Sequence, residues 1–234
     1  MGYFFLGTHF TKRARFERTK VSERASKMRQ LRPLAGWPKR HKKEYLNQKS
    51  YNMLILLLKS LWFFLPIGVA NMAPVLVKNW FPFLGRPIDG GRRLGGQPLF
   101  GSHKTWRGLL AAVVCGEIIF LLQRYLVLRF PDSFASLTFT DYAKLSLWSG
   151  ALMGGGAILG DLIKSFFKRR VGKTSGSRWI PFDQIDYIIG GLAAASIITR
   201  VPGEVWATLL ITGFLLHILT NHIGFWLGMR EDKF

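Results

Sequence analysis

Long apolar segments separated by short polar ones constrain this chain more than any other feature of its sequence. A helix needs about 20 apolar residues to cross the hydrocarbon core of a bilayer. Runs of this kind occupy residues 53–77, 106–128, 145–163, 185–200 and 205–227, of which the fourth is short. The pattern predicts an all-α fold, a polytopic membrane helix bundle of about five transmembrane helices.

The charge of the chain indicates an anionic partner. Lys and Arg number 33 against 13 Asp and Glu, which gives a net charge of +20. Phosphate ligands, anionic lipid headgroups and nucleic acid would all suit such a surface, and composition alone leaves the three open. The single cysteine, Cys115, excludes a disulfide framework and a cysteine-rich zinc site.

The first 52 residues differ in composition from the rest. They carry 14 Lys and Arg against 3 Asp and Glu, without a strong apolar stripe. We predict that residues 1–52 are a basic N-terminal extension, flexible or attached to a surface, and that residues 53–234 form the membrane domain. No recognition motif accompanies the positive charge, so we expect no specific nucleic-acid partner.

The distribution of Lys and Arg between loops predicts the orientation of the helices. The loops at 78–106 and 164–181 are strongly basic, whereas the connections at 129–144 and 200–204 are not. The positive-inside rule places both basic loops in the cytoplasm. Five spans would then leave the basic extension outside, against the same rule. Translocation of the extension, a first run that does not simply cross, or a biological start at Met53 would each resolve this conflict, and we favour the last.

Three carboxylates lie at the ends of apolar runs, where ionisable residues are costly and usually functional. Asp161 ends the third run, and Asp183 and Asp186 open the fourth. Their spacing of three puts the last two on one helix face near an N-terminus, which favours negative charge and bound phosphate. Helix capping would explain Asp183 alone but not the set. Because Mg²⁺ is typically held by one or two carboxylates plus substrate phosphates, the three residues predict a Mg²⁺ site for a nucleoside triphosphate.

The two basic loops supply candidates for phosphate binding. The second loop carries Lys168, Arg169 and Lys173, although a membrane anchor on the cytoplasmic side would have the same composition. The first loop is rich in glycine and carries Asp89, Arg92, His103, Lys104 and Arg107. In the fifth run Asn221 lies at a helical spacing from His217; such residues more often make helix–helix hydrogen bonds than bind a ligand.

Five sequence strings, in a fixed order, carry a resemblance to a known family. PIDGG, LFGSHKTWRG, GD-x3-SFFKRR, PFDQID and HILTN together closely resemble the CDP-archaeol synthase family over residues 53–228. That family is similar to the CDP-diacylglycerol synthases, whose signature contains S-x-x-K-R and paired aspartates. In this chain the S-x-x-K-R residues are Ser165, Lys168 and Arg169, and the paired aspartates are Asp183 and Asp186. Gln184 stands between the aspartates where the diacylglycerol type has arginine.

The resemblance implies an activity and a set of roles. A CTP:lipid-phosphate cytidylyltransferase would join 2,3-di-O-geranylgeranylglyceryl phosphate to the α-phosphorus of CTP and release pyrophosphate. It would be a multi-pass cell-membrane protein with Mg²⁺ as cofactor and two polar cytoplasmic loops forming the site. We expect catalytic roles for Asp161, Lys168, Asp183 and Asp186, with the three aspartates also holding the metal. The expected substrate-binding residues are Asp89, Arg92, His103, Lys104, Arg107, Ser165, Arg169, Lys173 and Asn221.

Other functions fit the sequence less well. A CDP-diacylglycerol synthase acting on an ester lipid phosphate stays open, because the sequence does not define the lipid linkage or the oligomeric state. A CDP-alcohol phosphotransferase would have a DGxxAR motif, which this chain lacks. A phosphate-binding membrane transporter would suit the glycine-rich third run, but no inverted repeat is visible.

Overall fold

The computed structural model describes residues 38–174 and 177–226, apart from the side chains of Thr220, Asn221 and residues 223–225. Six α-helices occupy most of this part of the chain, namely α1 (Lys39–Leu76), α2 (Trp106–Arg129), α3 (Pro131–Phe134), α4 (Ser149–Arg170), α5 (Phe182–Ile198) and α6 (Gly203–Trp226). Single 3₁₀ turns lie at Pro82–Leu84 and Ala135–Leu137. The five long helices correspond to the five predicted apolar runs.

Helix α1 begins at Lys39, well before the predicted start of the first apolar run at Met53. Residues 39–51 contain no proline or glycine, and Arg40 donates to Glu44 at 3.2 Å across one helical turn. Good helix formers and such a charge pair favour helix even on a polar surface. The pattern of contacts divides the chain into two units, with the boundary between Tyr51 and Asn52. The separate domains predicted at 1–52 and 53–234 stay a prediction.

A small hairpin interrupts the predicted all-α fold. Strands β1 (Arg93–Leu94) and β2 (Gln97–Pro98) pair antiparallel in the glycine-rich loop between α1 and α2. Gly95 and Gly96 form the connection with φ of +59° and +77°. A two-residue hairpin turn with both φ angles positive strongly favours glycine, so the Gly-Gly pair was the sequence signal for this turn.

Glycines bring α4 and α5 into backbone contact. A Cβ atom added to Gly160 would lie 2.3 Å from the carbonyl oxygen of Asp186. One added to Gly190 would lie 2.2 Å from the carbonyl oxygen of Gly156. Small residues allow membrane helices to approach this closely.

The opposite side of α4 contacts α2 in the same way. A Cβ atom on Gly154 would lie 2.5 Å from the carbonyl oxygen of Ala112, and one on Gly150 would lie 2.4 Å from that of Gly116. Helix α4 therefore packs closely between α2 and α5, and its position fixes theirs.

Of the three apolar clusters in the described part of the unit that begins at Asn52, two join helix α4 to its neighbours. The larger one joins α1, α4, α5 and α6 through buried side chains that include Phe63, Ile67, Met153, Ile188, Leu192 and Leu209. The smaller one contains Ala70, Ala112, Ile158 and Leu162, and Ile88 and Phe100 of the glycine-rich loop pack against it. The loop is thereby attached to the helices through apolar contacts.

The outer surface of the helices is also apolar. Along α2, the side chains of Leu110, Val114, Ile118, Leu122 and Tyr125 are exposed. Among the described residues, α1 and α2 are long and apolar enough to cross a membrane, and Gly203–Leu219 is apolar but shorter. These features support helices in contact with lipid, and the number of five spans stays a prediction.

The contact between α4 and α5 can be tested with a pair of glycine substitutions. We expect Gly160→Ala to destabilise the protein by about 1–3 kcal/mol, because the new methyl group meets the Asp186 carbonyl and overpacks the contact. The measurement is thermal unfolding in detergent. Gly155→Ala is the matched control, since its methyl group would meet only Val113 Cγ2 at 3.8 Å. Equal stability of the two variants would contradict the close contact.

Candidate active site

Asp89 organises the glycine-rich loop between α1 and α2. Its Oδ1 accepts from Gly91 N–H at 2.9 Å, and its Oδ2 accepts from the N–H groups of Phe100 and Gly101 at 3.0 and 3.3 Å. Burial raises the pKa of the Asp89 carboxyl, but these hydrogen bonds outweigh burial and hold the pKa below its ordinary value. The charged carboxylate therefore joins the backbone segments on the two sides of the β1–β2 hairpin.

The return of this loop to α2 positions Lys104. Ile88 N–H donates to the Lys104 carbonyl at 2.8 Å, and Trp106 N–H donates to the Arg86 carbonyl at 3.1 Å. Thr105 then caps α2 by accepting from Gly108 N–H at 3.2 Å. With its backbone held on both sides, Lys104 reaches α4, where its ammonium pairs with Asp161.

The Lys164 ammonium contacts all three of the predicted catalytic aspartates. Its Nζ lies 3.2 Å from Asp161 Oδ1, 2.7 Å from Asp183 Oδ1 and 3.0 Å from Asp186 Oδ2. Lys164 follows Asp161 by one helical turn on α4, and the other two carboxylates come from the first turns of α5. The two helices thus share one ion-pair cluster.

The remaining carboxylate oxygens also have partners. Asp183 Oδ2 accepts from Lys168 Nζ at 2.9 Å and from the N–H of Trp179 at 2.6 Å. Asp186 Oδ1 accepts from the N–H of Tyr187 at 2.7 Å. Each aspartate is therefore held in place by at least two donors.

The cluster is poorly exposed and balanced in charge. The side chains of Lys168 and Asp186 are each 6% exposed, and that of Asp161 is 17% exposed. Three ammonium groups, those of Lys104, Lys164 and Lys168, face the three carboxylates. Buried charges are costly unless paired, so this balance is what allows the cluster to exist away from water.

An apolar groove of about 800 Å³ lies between α4 and α5 and reaches the cluster. Leu159, Ile163, Phe167, Ile189 and Ile197 contribute to its walls, and each of these side chains is at least 43% exposed. The groove is therefore open to the outside along the helix pair. Lys164 and Asp186 are its only charged lining residues in the described part of the chain.

Other predicted site residues lie around the cluster rather than in it. Arg107 Nη1 donates to the Trp80 carbonyl at 2.8 Å, which attaches the start of α2 to the segment that directly follows α1. His103 and Arg92 are exposed on the glycine-rich loop. The structure thus brings Lys104 of this loop onto Asp161 and leaves these three residues outside the ion-pair cluster.

The remaining predicted residues lie near the C-terminal end of α4. Ser165 is buried on this helix. Arg169 is also buried, and its Nη1 donates to the carbonyl of Lys173, whose side chain is exposed. The Arg169 Nε has no hydrogen-bond partner among the described residues. The side chain of Asn221 lies outside the described residues.

Sequence reasoning missed the place of Lys164 in the ion-pair cluster and the contact made by Arg170. Lys164 was counted only as a loop charge, although its spacing of three from Asp161 was a signal for an ion pair on one helix face. Arg170 Nη1 donates to the Pro98 carbonyl at 2.8 Å, and its guanidinium lies 4.2 Å from the centre of the Phe166 ring. Arg170 was expected only as one of several basic residues of the second loop that could surround phosphates. No local pattern predicts its contact with Pro98, because the two residues are 72 apart in the sequence.

The three predicted Mg²⁺ ligands have suitable donor atoms, but in this structure their carboxylates surround an ammonium group. No set of three acidic, histidine or cysteine side chains in the described chain is arranged to hold a metal ion. Asp161, Asp183 and Asp186 instead converge on the Lys164 ammonium, each with one oxygen within 3.2 Å of it. Carboxylate oxygens are suitable Mg²⁺ ligands, and one or two of them suffice when phosphates complete the shell. The metal role of these residues stays a prediction.

Comparisons with known proteins show the family. The family described as CarS-like, CDP-archaeol synthase, matches residues 53–234. The CDP-archaeol synthase of Thermococcus onnurineus is 35% identical over 176 residues, which cover 75% of this chain and 95% of that protein. That of Methanocaldococcus jannaschii is 33% identical and covers 75% and 96%. The chain therefore belongs to the CDP-archaeol synthase family, and the resemblance seen in its sequence is confirmed.

A solved structure supports the same relationship. It is described as an intramembrane enzyme for the biosynthesis of archaeal membrane lipids. Its identity to this chain is 28% with a TM-score of 0.56, and the match covers 70% of this chain and 94% of that one. Together with the apolar helices α1 and α2, this likeness identifies the chain as a helical membrane protein.

The role of Asp89 in the loop can be tested by hydrogen exchange. We expect Asp89→Asn to increase exchange at the amides of Gly91, Phe100 and Gly101 by about tenfold or more, because an amide side chain has one acceptor oxygen where the carboxylate has two. Exchange measured by mass spectrometry on purified protein reports this. Amides in the middle of α2 should not change and serve as the internal control. Unchanged loop exchange would show that other contacts fold the loop.

Proposed function

We propose that this protein is a CTP:lipid-phosphate cytidylyltransferase that makes unsaturated CDP-archaeol. A phosphate oxygen of 2,3-di-O-geranylgeranylglyceryl phosphate would attack the α-phosphorus of CTP. The bond from that phosphorus to the β-phosphate would break, and pyrophosphate would leave. The family assignment from residues 53–234 and the relatives that share it support this activity.

The observation that carries this proposal is the position of the ion-pair cluster at an apolar groove. A cytidylyltransferase of this kind must join a water-soluble nucleotide to a phosphate on a membrane lipid. Lys164 and Asp186 belong both to the polar cluster and to the groove lining. The two chemical environments that the reaction needs therefore share residues in this structure.

The basic residues would neutralise the phosphates of both substrates. Bringing two anions together is the main electrostatic obstacle, and transfer at phosphorus depends on positioning and charge stabilisation rather than covalent help. Lys104, Lys164 and Lys168 present three ammonium groups at the carboxylates. Arg169, with an unpartnered Nε among the described residues, could supply a further donor to a phosphate oxygen.

The carboxylates would hold the cofactor and thereby orient the nucleotide. When bound, Mg²⁺ would polarise the triphosphate and offset its charge. Asp183 and Asp186 lie within the first turns of α5, and Asp161 faces them from α4. The hydrogen bonds from Trp179 and Tyr187 would keep the two α5 carboxylates oriented while a lysine partner is exchanged for a metal.

The groove between α4 and α5 would receive the isoprenoid chains. Its described lining is apolar apart from Lys164 and Asp186, and it opens along the outside of the helix pair. Isoprenoid chains could enter this groove directly from the bilayer, because its apolar walls resemble the lipid around them. The lipid phosphate would then lie at the charged end, beside the nucleotide.

We further propose a multi-pass arrangement in the cell membrane. Helices α1, α2, α4, α5 and α6 would span the bilayer, and the loops between α1 and α2 and between α4 and α5 would face the cytoplasm. The excess of Lys and Arg in these loops supports that orientation. Contacts of Lys104 with Asp161 and of Arg170 with Pro98 are consistent with one shared site.

The activity is tested directly with purified protein, CTP and lipid phosphates. We expect Mg²⁺-dependent formation of CDP-lipid and pyrophosphate, read by mass spectrometry, and faster turnover of the ether-linked isoprenoid phosphate than of an ester-linked phosphatidic acid. Asp183→Asn and Asp186→Asn should each lower turnover by about a hundredfold or more, since such a transition-state partner is worth about 3 kcal/mol.

The matched control for these variants is Asp141→Asn. Asp141 is an exposed aspartate that pairs with Lys144 at 3.3 Å, outside the cluster. Its neutralisation should leave turnover within about twofold, as expected for a surface ion pair. CTP binding without CDP-lipid from any lipid phosphate would refute the activity. Near-normal turnover of both Asp183→Asn and Asp186→Asn would refute their catalytic roles.

The lipid groove is tested by filling it. We expect Ala193→Trp to raise the KM for the lipid phosphate about tenfold or more while the KM for CTP changes little, because an indole at this exposed lining position would occupy the space of an isoprenoid chain. Val114→Trp is the control, because Val114 is exposed on α2 and does not line the groove. Equal effects of the two variants, or a rise confined to the KM for CTP, would refute the groove assignment.

A further inference from the structure

The ammonium of Lys164 lies where the three aspartates of the cluster converge. One oxygen of Asp161, one of Asp183 and one of Asp186 lie within 3.2 Å of its Nζ. An ammonium group has three hydrogens, so three carboxylates satisfy it completely. Lys104 and Lys168 differ, because each contacts a single aspartate in these ion pairs.

A divalent cation and this ammonium cannot occupy the same point. A Mg²⁺ ion needs oxygen ligands at about 2.0–2.1 Å, nearer than any oxygen now lies to Lys164 Nζ. A metal held by two of the three aspartates would take oxygens that Lys164 contacts now. Repulsion between the two cations in a poorly hydrated cluster would then push the ammonium away.

The apolar groove offers a second position for the Lys164 ammonium once it leaves the carboxylates. Lys164 is one of the two charged residues lining the apolar groove, and the side chain is 13% exposed. Its long, flexible stem can turn from the aspartates toward the groove. A released ammonium there would face an anionic phosphate group.

We propose that Lys164 is an exchangeable internal cation of the site. It holds the three carboxylates together when no metal is bound, is displaced by the divalent cation, and then binds a substrate phosphate at the groove. This role rests on the proposed function for the identity of the phosphate, but the exchange itself concerns only Lys164, the aspartates and the metal. Lys164 is then both a competitor for the metal and a binding residue for the substrate.

The exchange predicts an unusual effect of a neutral variant on metal binding. Lys164→Met should bind Mn²⁺ about tenfold or more tightly than the unaltered chain in the absence of nucleotide, because the competing cation is gone. Binding is measured by electron paramagnetic resonance of free Mn²⁺ on detergent-purified protein. The same variant should be less stable to heat without metal, and added Mn²⁺ should stabilise it more than it stabilises the unaltered chain.

Two control substitutions separate exchange from a general effect of charge. Lys104→Met removes the same charge next to Asp161 alone and should tighten Mn²⁺ binding by less than about threefold, while Lys144→Met, at an exposed surface pair, should have no effect. Unchanged or weaker Mn²⁺ binding by folded Lys164→Met would overturn the proposal. An equal gain in Lys104→Met and Lys164→Met would also overturn it, since that would reflect net charge only.

A second measurement uses the unaltered chain and does not depend on a variant that folds. Brief acetylation of lysine amines, followed by peptide mass spectrometry, reports whether Lys164 is engaged by the carboxylates. Mg²⁺ alone should increase labelling of Lys164 several-fold, and a lipid phosphate added with Mg²⁺ should reduce it again. Labelling that stays constant while the metal binds would refute the exchange. Neither experiment requires turnover. The exchange can therefore be supported or refuted even if the protein makes no CDP-lipid.

Discussion

The contact between the backbones of α4 and α5 is the constraint on which the rest of the site depends. Gly160 touches the carbonyl of Asp186, and the residue after Gly160 is Asp161. The two helices therefore meet at the residues that carry the carboxylates. Any side chain larger than hydrogen at Gly160 would separate them, and one lysine could no longer reach acids on both helices. Close helix packing, usually a source of stability in membranes, here also sets the geometry of the charges.

Charge balance is the second requirement, and it explains why lysines surround the aspartates. Three carboxylates at the end of an apolar helix pair would repel one another and lose solvation. The ammonium groups of Lys104, Lys164 and Lys168 cancel the repulsion and compensate part of the lost solvation. Paired charges of this kind contribute little net stability, because desolvation offsets most of the attraction. In the proposed reaction the same ammonium groups would lie close to the bound phosphates without a large rearrangement of the protein.

The sequence predicted the long helices and singled out the three aspartates that the structure brings together, because both are local signals; the catalytic and metal-binding roles of the aspartates stay predictions. Apolar length identifies a helix, and an acid at the end of an apolar run is conspicuous. It could not assign Lys164, because a lysine at a basic membrane boundary is also what the positive-inside rule expects. It grouped Asp89 with the substrate ligands because a glycine-rich loop suggests phosphate binding. Here the Asp89 carboxylate folds that loop through partners up to 12 residues away, and its predicted role in binding is untested.

The same two helices supply both the charged cluster and the apolar groove, and this shared origin imposes an order on the site. Glycines at 155, 156, 160 and 190 line the groove, and two of them, Gly160 and Gly190, also make the closest backbone contacts. Small side chains thus bring the helices together and leave room beside them. A lipid lying in that room would bring its phosphate to Lys164 and Asp186 from the membrane side. In the proposed reaction a nucleotide would approach from the polar side, where the glycine-rich loop carries Lys104 and the last turn of α4 carries Lys168. The lipid would reach the aspartates from the membrane and the nucleotide would reach them from water.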